Sequence, residues 1–572
     1  MFGLGKKFFI IGDLSAPLGT RPIHYGQHAD ELETIQPGDC YTCWGWLMEC
    51  GPGTTPPSIL EPLRHQGDPL CDAVVRFFAL KPGDDGLKRL EDYIAFTPRE
   101  ERDPDVMAFW DEMARDPPEG VCALRPAKSF SKQSTPFSSP TSKTSDGLSN
   151  GNFDGAPTAC SQNKGEKVYS PDKAMSERNR RPLPVLSEGQ AVFWRYSGDM
   201  FHALLHFSLA GGFASPRIMS VLRETGYLTS SSRDATYRRL METTQALVDF
   251  MSDMTPLTGR GWKSAIRVRM LHSQVRIRIL ANASTLKKYD QERDGIPINQ
   301  ERVYLTAVDL LGTLGSFCIA PLWCQKRLGV PLTVEEQLAF IASWRHVGYY
   351  LGISPSLLAT YYNTDSPASP SMSYRFFACL AFHLFAPDPP SDPFSTPTYK
   401  MLHAVANRPP TNKATLYHCE LTRMLLGDGL ADQLSVPRGS LMEQLMVKQW
   451  AWNSWITARF SRFYLGRWEI QRQILFRRVI TLVIAWQLGN KRSRFTWRDE
   501  KDHEKKISEM PEEAGEAPGL DMGVPVGKEV RSQATWLFAE MGCVLAALGV
   551  VSIGVLWQSV RFVVKRVVLS KV

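Results

Sequence analysis

The sequence predicts an all-α protein, and three features of its 572 residues lead to this fold class. Between residues 188 and 490, apolar side chains recur at helical spacing, and the alternation typical of a half-buried strand is rare. Within this block, residues 266–280 contain neither glycine nor proline. Near the C-terminus, an apolar run without charge extends from Met541 to Trp557. Together these features predict a large helical domain that is followed by a C-terminal transmembrane helix.

Composition divides the chain into five segments. Residues 127–185 are rich in Ser, Thr, Pro, Asn, Gly and Lys, and such a segment buries too little apolar surface to offset its ordering entropy. We therefore expect a disordered linker there, between an N-terminal region (1–126) that packs on the core and a helical catalytic domain (186–490). A second polar linker (491–530) precedes the transmembrane helix that we predict at 534–560.

The C-terminal run has the features of a membrane anchor. The 22 residues from Trp536 to Trp557 carry one charge, that of Glu540, and they are long enough to cross a hydrocarbon core of about 30 Å. Tryptophans at both ends are typical of the membrane interfaces. A buried helix and an interfacial amphipathic helix are the alternatives.

Because residues 1–18 lack the features of a secretory signal, we expect the catalytic domain to lie in the cytosol. The basic residues after the anchor, such as Arg561 and Lys565, favour the opposite orientation under the positive-inside rule. The choice of membrane stays open on these residues alone.

Charge, cysteines and absent motifs exclude several classes of protein. The chain has 66 basic and 59 acidic residues, and no basic stripe coincides with a nucleic-acid-binding signature, so we expect no nucleic-acid partner. Its eleven cysteines are odd in number and scattered, which indicates reduced thiols. The absence of Gly-x-Ser-x-Gly, Walker and dinucleotide motifs argues against hydrolases, NTPases and nicotinamide enzymes.

His272 is the most informative residue of the helical block. On a helix over 266–280 it lies at the edge of an apolar stripe of about 100°. Arg269 and Arg276 flank it. A lone imidazole beside apolar side chains and guanidinium groups suits haem, which needs a nitrogen ligand, an apolar wall and cations for its carboxylates. A core histidine that is satisfied by a backbone carbonyl is the alternative, with the arginine heads in water.

Two other patterns contain possible functional groups. Arg239 and Thr243 are one helical turn apart and can hold a polarised oxygen species, although pairing of Arg239 with Glu242 is the simpler interpretation. His24 with His28, and Cys40 with Cys43, have the residue types of a structural zinc site, but the pattern is loose.

Several motifs in order resemble the family of rubber oxygenases (latex-clearing proteins) and the endoplasmic-reticulum-bound oxygenase of mycophenolic acid biosynthesis. They lie at residues 190–196, 208–213, 221–228, 239–243, 268–272 and 344–352, with a fainter match at 62–70. The resemblance implies a globin-like helical core that binds a b-type haem, whose iron cleaves an isoprenoid carbon–carbon double bond with dioxygen. No Cys-x-x-Cys-His motif is present, which excludes covalent haem attachment.

The resemblance also implies the roles of individual residues. His272 matches the proximal iron ligand, Arg239 and Thr243 match the distal polar pair, and Glu224 matches a carboxylate that acts as a base. Arg269 and Arg276 are then expected to meet the carboxylates of the cofactor. The chain has Glu242 where rubber-cleaving members carry a lysine.

This departure makes polyisoprene a poor candidate substrate. We expect a smaller apolar, unsaturated lipid and an enzyme on the endoplasmic reticulum, with the mitochondrial outer membrane as another location. The competing interpretation is a catalytically inactive, membrane-tethered helical binding or scaffold protein of the same fold.

Overall fold

The computed structural model describes residues 8–18, 20–26, 29–123, 184–225, 232–281, 305–330, 332–387, 392–408, 412–464, 467–488, 492–495 and 524–569. Nearly all of the predicted linker 127–185 lies outside these described residues. So does most of the second predicted linker, 491–530.

A small sheet in the N-terminal region was not predicted from the sequence. Its strands are β1 (Phe9–Ile11), β2 (Ile23–Tyr25), β3 (Cys40–Cys43) and β4 (Trp46–Glu49), in the order β1-β4-β3-β2. β3 and β4 form an antiparallel hairpin, and the outer strands pair in parallel. Trp44 and Gly45 close the hairpin with φ of 50° and 79°, the left-handed conformation that matches the twist of a two-residue turn.

Helices dominate the rest of the described chain, which confirms the all-α class. The N-terminal helices are α1 (Pro57–Leu60), α2 (Pro69–Phe77), α3 (Gly86–Phe96) and α4 (Pro104–Met113). The helical block contains α5 (Pro184–Arg195), α6 (Ser197–Ala203), a π-helical turn (Leu204–Leu209), α7 (Ala210–Gly212), α8 (Pro216–Glu224), α9 (Arg233–Phe250), α10 (Arg260–Ala281), α11 (Ala307–Arg327), α12 (Val334–Tyr350), α13 (Pro355–Tyr361), α14 (Ser369–Leu384), α15 (Pro397–Val405), α16 (Thr415–Leu426), α17 (Asp428–Gln433), α18 (Leu441–Phe463) and α19 (Arg467–Gln487). The C-terminal helix is α20 (Val524–Leu569). Short 3₁₀ turns lie at Ala29–Glu33, Glu61–His65, Arg99–Glu101 and Pro393–Ser395.

Local sequence explains the ends of the helices that matter most for the site. The Ser232 side chain accepts a hydrogen bond from the backbone N–H of Ala235 and caps the start of α9. Asp68 caps α2 in the same way, and Pro69 occupies the first turn, where its missing N–H costs nothing. Long α10 has no proline, and its only glycine is Gly261, close to its start.

The N-terminal region and the helical block share one hydrophobic core. Buried tryptophans join them: the indole N–H of Trp46 donates to the carbonyl of Leu426 at 2.7 Å, and that of Trp262 donates to the carbonyl of Met113 at 2.8 Å. The N-terminal helices are therefore in place to contribute side chains to a site on α10.

Two described helices are long and apolar enough to cross a membrane. One is α11, which is largely buried and serves as a core helix. The other, at Lys528–Val550 within α20, is almost fully exposed. Its first half contacts α19: the indole N–H of Trp468 donates to the carbonyl of Leu537 at 2.9 Å, and Arg478 forms an ion pair with Glu529. The helix begins at Val524, ten residues before the predicted anchor.

Candidate functional site

α9 and α10 pack against each other and carry most of the predicted site residues. The Ser264 hydroxyl on α10 donates to the Asp249 carboxylate on α9 at 2.7 Å. Because each helical residue rises about 1.5 Å, His272, eight residues after Ser264, lies level with the position eight residues before Asp249. That position falls between Arg239 and Thr243, so helical rise alone sets the three predicted residues at a similar height, while no hydrogen bond joins His272 to either of the other two.

His272 is not the satisfied core histidine of the alternative interpretation. Its Nδ1 is buried without a hydrogen-bond partner, and no hydrogen bond joins the ring to any described residue. Burial, aided by the positive charge of Arg276 and opposed by Asp68, lowers the pKa of His272 to about 4. The ring is therefore neutral at pH 7, and a neutral imidazole is the form that binds a metal.

The apolar stripe beside His272 is present as predicted from the helical periodicity. Val275 and Ile279 are buried and form a small cluster with Leu271, with Val221 of α8 and with Leu305. Val268 packs on the main core. The imidazole is thus bordered by aliphatic side chains from two helices, which is the kind of wall that a flat apolar group requires.

Arg269 and Arg276 already have carboxylate partners from α2. The Arg269 Nε and Nη2 donate to the two oxygens of Asp68 at 2.6 and 3.0 Å. The Arg276 Nε and Nη2 donate to Asp72 at 3.0 and 2.9 Å, and its Nη1 donates to the carbonyl of Leu305. Burial opposes ionisation of Asp68, but the guanidinium of Arg269 holds the pKa of that carboxyl below its usual range.

These contacts correct the expectation that Arg269 and Arg276 are available to the carboxylates of a cofactor. Both guanidinium groups are almost completely buried, at 5% and 1% exposure, and bidentate pairing occupies the face that would meet another carboxylate. Their observed role is to fasten α10 to α2. Asp68 and Asp72 were missed in the sequence because about 200 residues separate them from their partners.

Arg239 makes the contact that the simpler interpretation predicts. Its Nη1 lies 3.5 Å from Oε2 of Glu242, with 12% and 10% of the two side chains exposed. The Thr243 hydroxyl donates to the backbone carbonyl of Arg239 at 3.2 Å. The pair thus lies on α9 in a mostly buried position, with a carboxylate beside the cation.

Glu224 is the last residue of α8, and its side chain is outside the described part of the structure. The same helix carries Val221, which contacts the stripe on α10. The backbone therefore places position 224 one turn beyond a residue that packs beside His272.

The residues of the loose zinc pattern have other environments. His24 lies 2.9 Å from the Asp39 carboxylate, and burial raises the pKa of the Cys43 thiol to about 12. His28 is outside the described residues. Among the residues that the structure does describe, no three His, Cys, Asp or Glu side chains are grouped as metal ligands.

A polar cleft of about 900 Å³ is bordered by α9, the start of α10 and the segment around Arg494. No pattern in the sequence pointed to it, because its basic residues come from three separate segments. It is lined by Gly83, Arg238, Glu242, Gln245, Asp249, Thr258, Arg260, Lys263, Ser264, Arg267, Leu488, Arg492, Ser493 and Arg494.

Fold and site together define a helical protein in which His272 is neutral, has an unbonded Nδ1 and lies beside an apolar wall. Residues 194–457 match the family model described as the catalytic domain of ER-bound oxygenase mpaB/B′ and rubber oxygenase. The resemblance to this oxygenase family is confirmed for that segment, which includes every predicted site residue and supports an oxygenase role.

Among solved structures, the chain is similar to latex clearing protein LCP in the closed state, with 14% identity and a TM-score of 0.37. That similarity covers 56% of this chain and 80% of the other. No curated protein matches the chain.

Proposed function

We propose that the protein is a haem b-dependent oxygenase that uses dioxygen to cleave a carbon–carbon double bond of an apolar isoprenoid or lipid. The observation that supports this most is His272. Its imidazole has a buried Nδ1, is neutral at pH 7 and makes no hydrogen bond to the described residues, and it lies inside a segment that matches an oxygenase catalytic domain.

The residues around His272 fit a haem in two respects: the imidazole nitrogen is a ligand for iron, and aliphatic side chains suit contact with the macrocycle. An orphaned buried nitrogen has lost its hydration without gaining a partner, which costs about 1–3 kcal/mol unless a ligand binds there. Leu271, Val275 and Ile279 provide the apolar contact. Haem, when bound, supplies the redox chemistry with dioxygen, while the protein provides ligation, orientation and exclusion of water.

We assign polar roles on the facing helix to Arg239 and Thr243. Arg239 brings a permanent positive charge to the level of His272, and Thr243 brings a hydroxyl to the same level. Each can stabilise negative charge that develops on reacting oxygen, by roughly 3 kcal/mol in a site without water. Glu224, one turn beyond Val221, is the proposed base that removes a proton from the substrate.

Glu242 separates this protein from rubber-cleaving enzymes. The Glu242 carboxylate is paired with Arg239 at 3.5 Å, so it is already engaged and would not take the place of the lysine that rubber-cleaving members carry. We therefore propose a resting state without a side-chain cap and a substrate other than polyisoprene, such as a smaller lipid dissolved in the membrane.

Membrane anchoring is part of the proposal. The exposed apolar part of α20 at Lys528–Val550 suits a span, with the catalytic domain in the cytosol at the endoplasmic reticulum. Such a location would supply the apolar substrate from the bilayer.

Oxygen uptake by the purified protein tests this function. With haemin supplied during expression, we expect a Soret band, oxygen consumption with an unsaturated lipid extract, and aldehyde products that are absent without enzyme. Colour without turnover on any lipid would favour the inactive binding protein, and a colourless, iron-free protein would contradict the haem assignment.

A further inference from the structure

The polar cleft beside the α9–α10 pair carries an excess of positive charge. Among the described residues, six basic side chains line it, and two lining residues, Glu242 and Asp249, are acidic. The first turn of α10 also borders it, so the positive end of that helix dipole adds to the field. A half-open cavity with this charge favours an anionic occupant.

Neighbouring carboxylates neutralise only part of this charge. Arg267 pairs with Asp85 at 3.0 Å and Lys263 with Glu91 at 3.5 Å, while Arg492 pairs with Asp249.

By contrast, Arg260 and Arg494 have no ion pair or hydrogen bond within the described part of the chain. Both are exposed at the cleft. Two guanidinium groups are therefore available, and guanidinium binds phosphate oxygens through two parallel hydrogen bonds.

The segment that carries Arg494 is held against α9. The Gln245 side chain donates to the Ser493 carbonyl at 3.1 Å and accepts from the Ser493 N–H at 2.9 Å. This double contact fixes the backbone next to Arg494, so the wall of the cleft is built by specific pairing.

The cleft adjoins the proposed oxygenase site through one shared residue. Glu242 lines the cleft and is also the neighbour of Arg239. On α10, Leu271 lies one turn after the cleft residue Arg267, and His272 follows it. Arg267 and His272 are separated by about 7.5 Å along the helix axis and by about 140° around it, so an alkenyl chain that starts at the cleft must pass around α10 to reach His272.

We propose that this cleft binds the phosphate head group of the substrate, whose unsaturated chain then extends along α10 toward His272. The part of this inference that identifies the bound molecule as the substrate rests on the proposed function. The part that assigns phosphate binding to the cleft does not. The substrate class is an apolar, unsaturated chain that bears a phosphate or diphosphate.

Calorimetric binding to the full-length protein without oxygen tests the proposal. The probes are geranyl diphosphate, geraniol and inorganic pyrophosphate, which separate the head group from the chain. We expect geranyl diphosphate to bind at least ten times more tightly than either other probe, and less tightly as salt rises. If geraniol bound as tightly as geranyl diphosphate, the proposal would be overturned. If pyrophosphate bound as tightly as geranyl diphosphate, the part that identifies the ligand as the substrate would be overturned.

Arg260 and Arg494 are both exposed, so we expect variants at these positions to fold as the wild type does. The double variant Arg260→Gln/Arg494→Gln should weaken geranyl diphosphate at least tenfold and leave geraniol unchanged. Arg76→Gln, an exposed arginine on α2, is the matched control and should bind as the wild type does. Unchanged binding by the double variant would contradict the proposal.

A Soret spectrum of the same sample separates the two hypotheses. Selective head-group binding without a Soret band would refute the oxygenase proposal and support the phosphate site. A Soret band without head-group selectivity would refute the phosphate site alone.

Discussion

The polar side chains on two faces of α10 differ in whether they have partners. On the face toward α2, Arg269 and Arg276 are buried and fully paired with Asp68 and Asp72. At the edge of the apolar stripe, the Nδ1 of His272 is buried with no hydrogen-bond partner among the described residues.

The difference teaches which groups the protein uses to hold itself together. A buried charge must be paired because its desolvation is expensive, so Asp68 and Asp72 are part of the fold. An unpaired neutral imidazole costs much less and can be kept free for a ligand. Burial alone does not identify a functional residue; what distinguishes His272 is a buried, unpartnered Nδ1 beside an apolar wall, inside a segment that matches an oxygenase catalytic domain.

The largest effect is expected from removing the partner of Arg276. Asp72→Ala leaves a buried guanidinium without its carboxylate, so the free energy of unfolding should fall by about 3–5 kcal/mol. Urea denaturation measures it. The control is Glu91→Ala, which removes the partner of half-exposed Lys263 and should cost less than about 1 kcal/mol. Equal losses in the two variants would contradict a structural role specific to the buried pair.

The polar pair on α9 is expected to affect turnover more than cofactor binding. Arg239→Ala removes the positive charge at the level of His272, and oxygen-dependent turnover should slow about a hundredfold or more. The Soret absorbance should keep most of its intensity because His272 is intact. Oxygen uptake per haem measures the effect, and an unchanged rate would remove Arg239 from the mechanism.

The stability of the haem-free protein should depend on pH through His272. The pKa of the folded ring is lowered to about 4, whereas the unfolded ring has a pKa of about 6.5. Between these values the unfolded chain holds the extra proton, so acid favours unfolding, by about 2 kcal/mol at pH 5. His272→Gln should lose that much less stability than the wild type between pH 7 and pH 5. Parallel pH profiles would show that the ring is not buried and neutral.

A smaller effect separates Thr243 from its neighbour. Thr243 and Thr244 each donate a hydroxyl hydrogen bond to a carbonyl one turn earlier, at 3.2 and 2.8 Å. Each alanine variant therefore removes one hydrogen bond of the same kind within the helix. We expect Thr243→Ala to slow turnover about tenfold and Thr244→Ala to leave it within about twofold. Similar rates in both variants would exclude a specific role for Thr243.

Local patterns in the sequence were sufficient for the helical class and for the stripe beside His272, because helical periodicity acts over a few turns. They could not provide the partners of Arg269 and Arg276, which lie about 200 residues away. The sheet was missed because strands of three or four residues are too short to show alternation. α20 begins earlier than the predicted anchor because its first turns are polar and lack an apolar signal.

The central claim is that His272 binds the iron of a haem, and one substitution tests it most directly. His272→Gly should be purified without a Soret band even when haemin is supplied, and added imidazole should restore the band by occupying the vacated space. His65→Gly, at an exposed position, should retain the band of the wild type. A His272→Gly protein with an unchanged Soret band before imidazole is added would contradict the account.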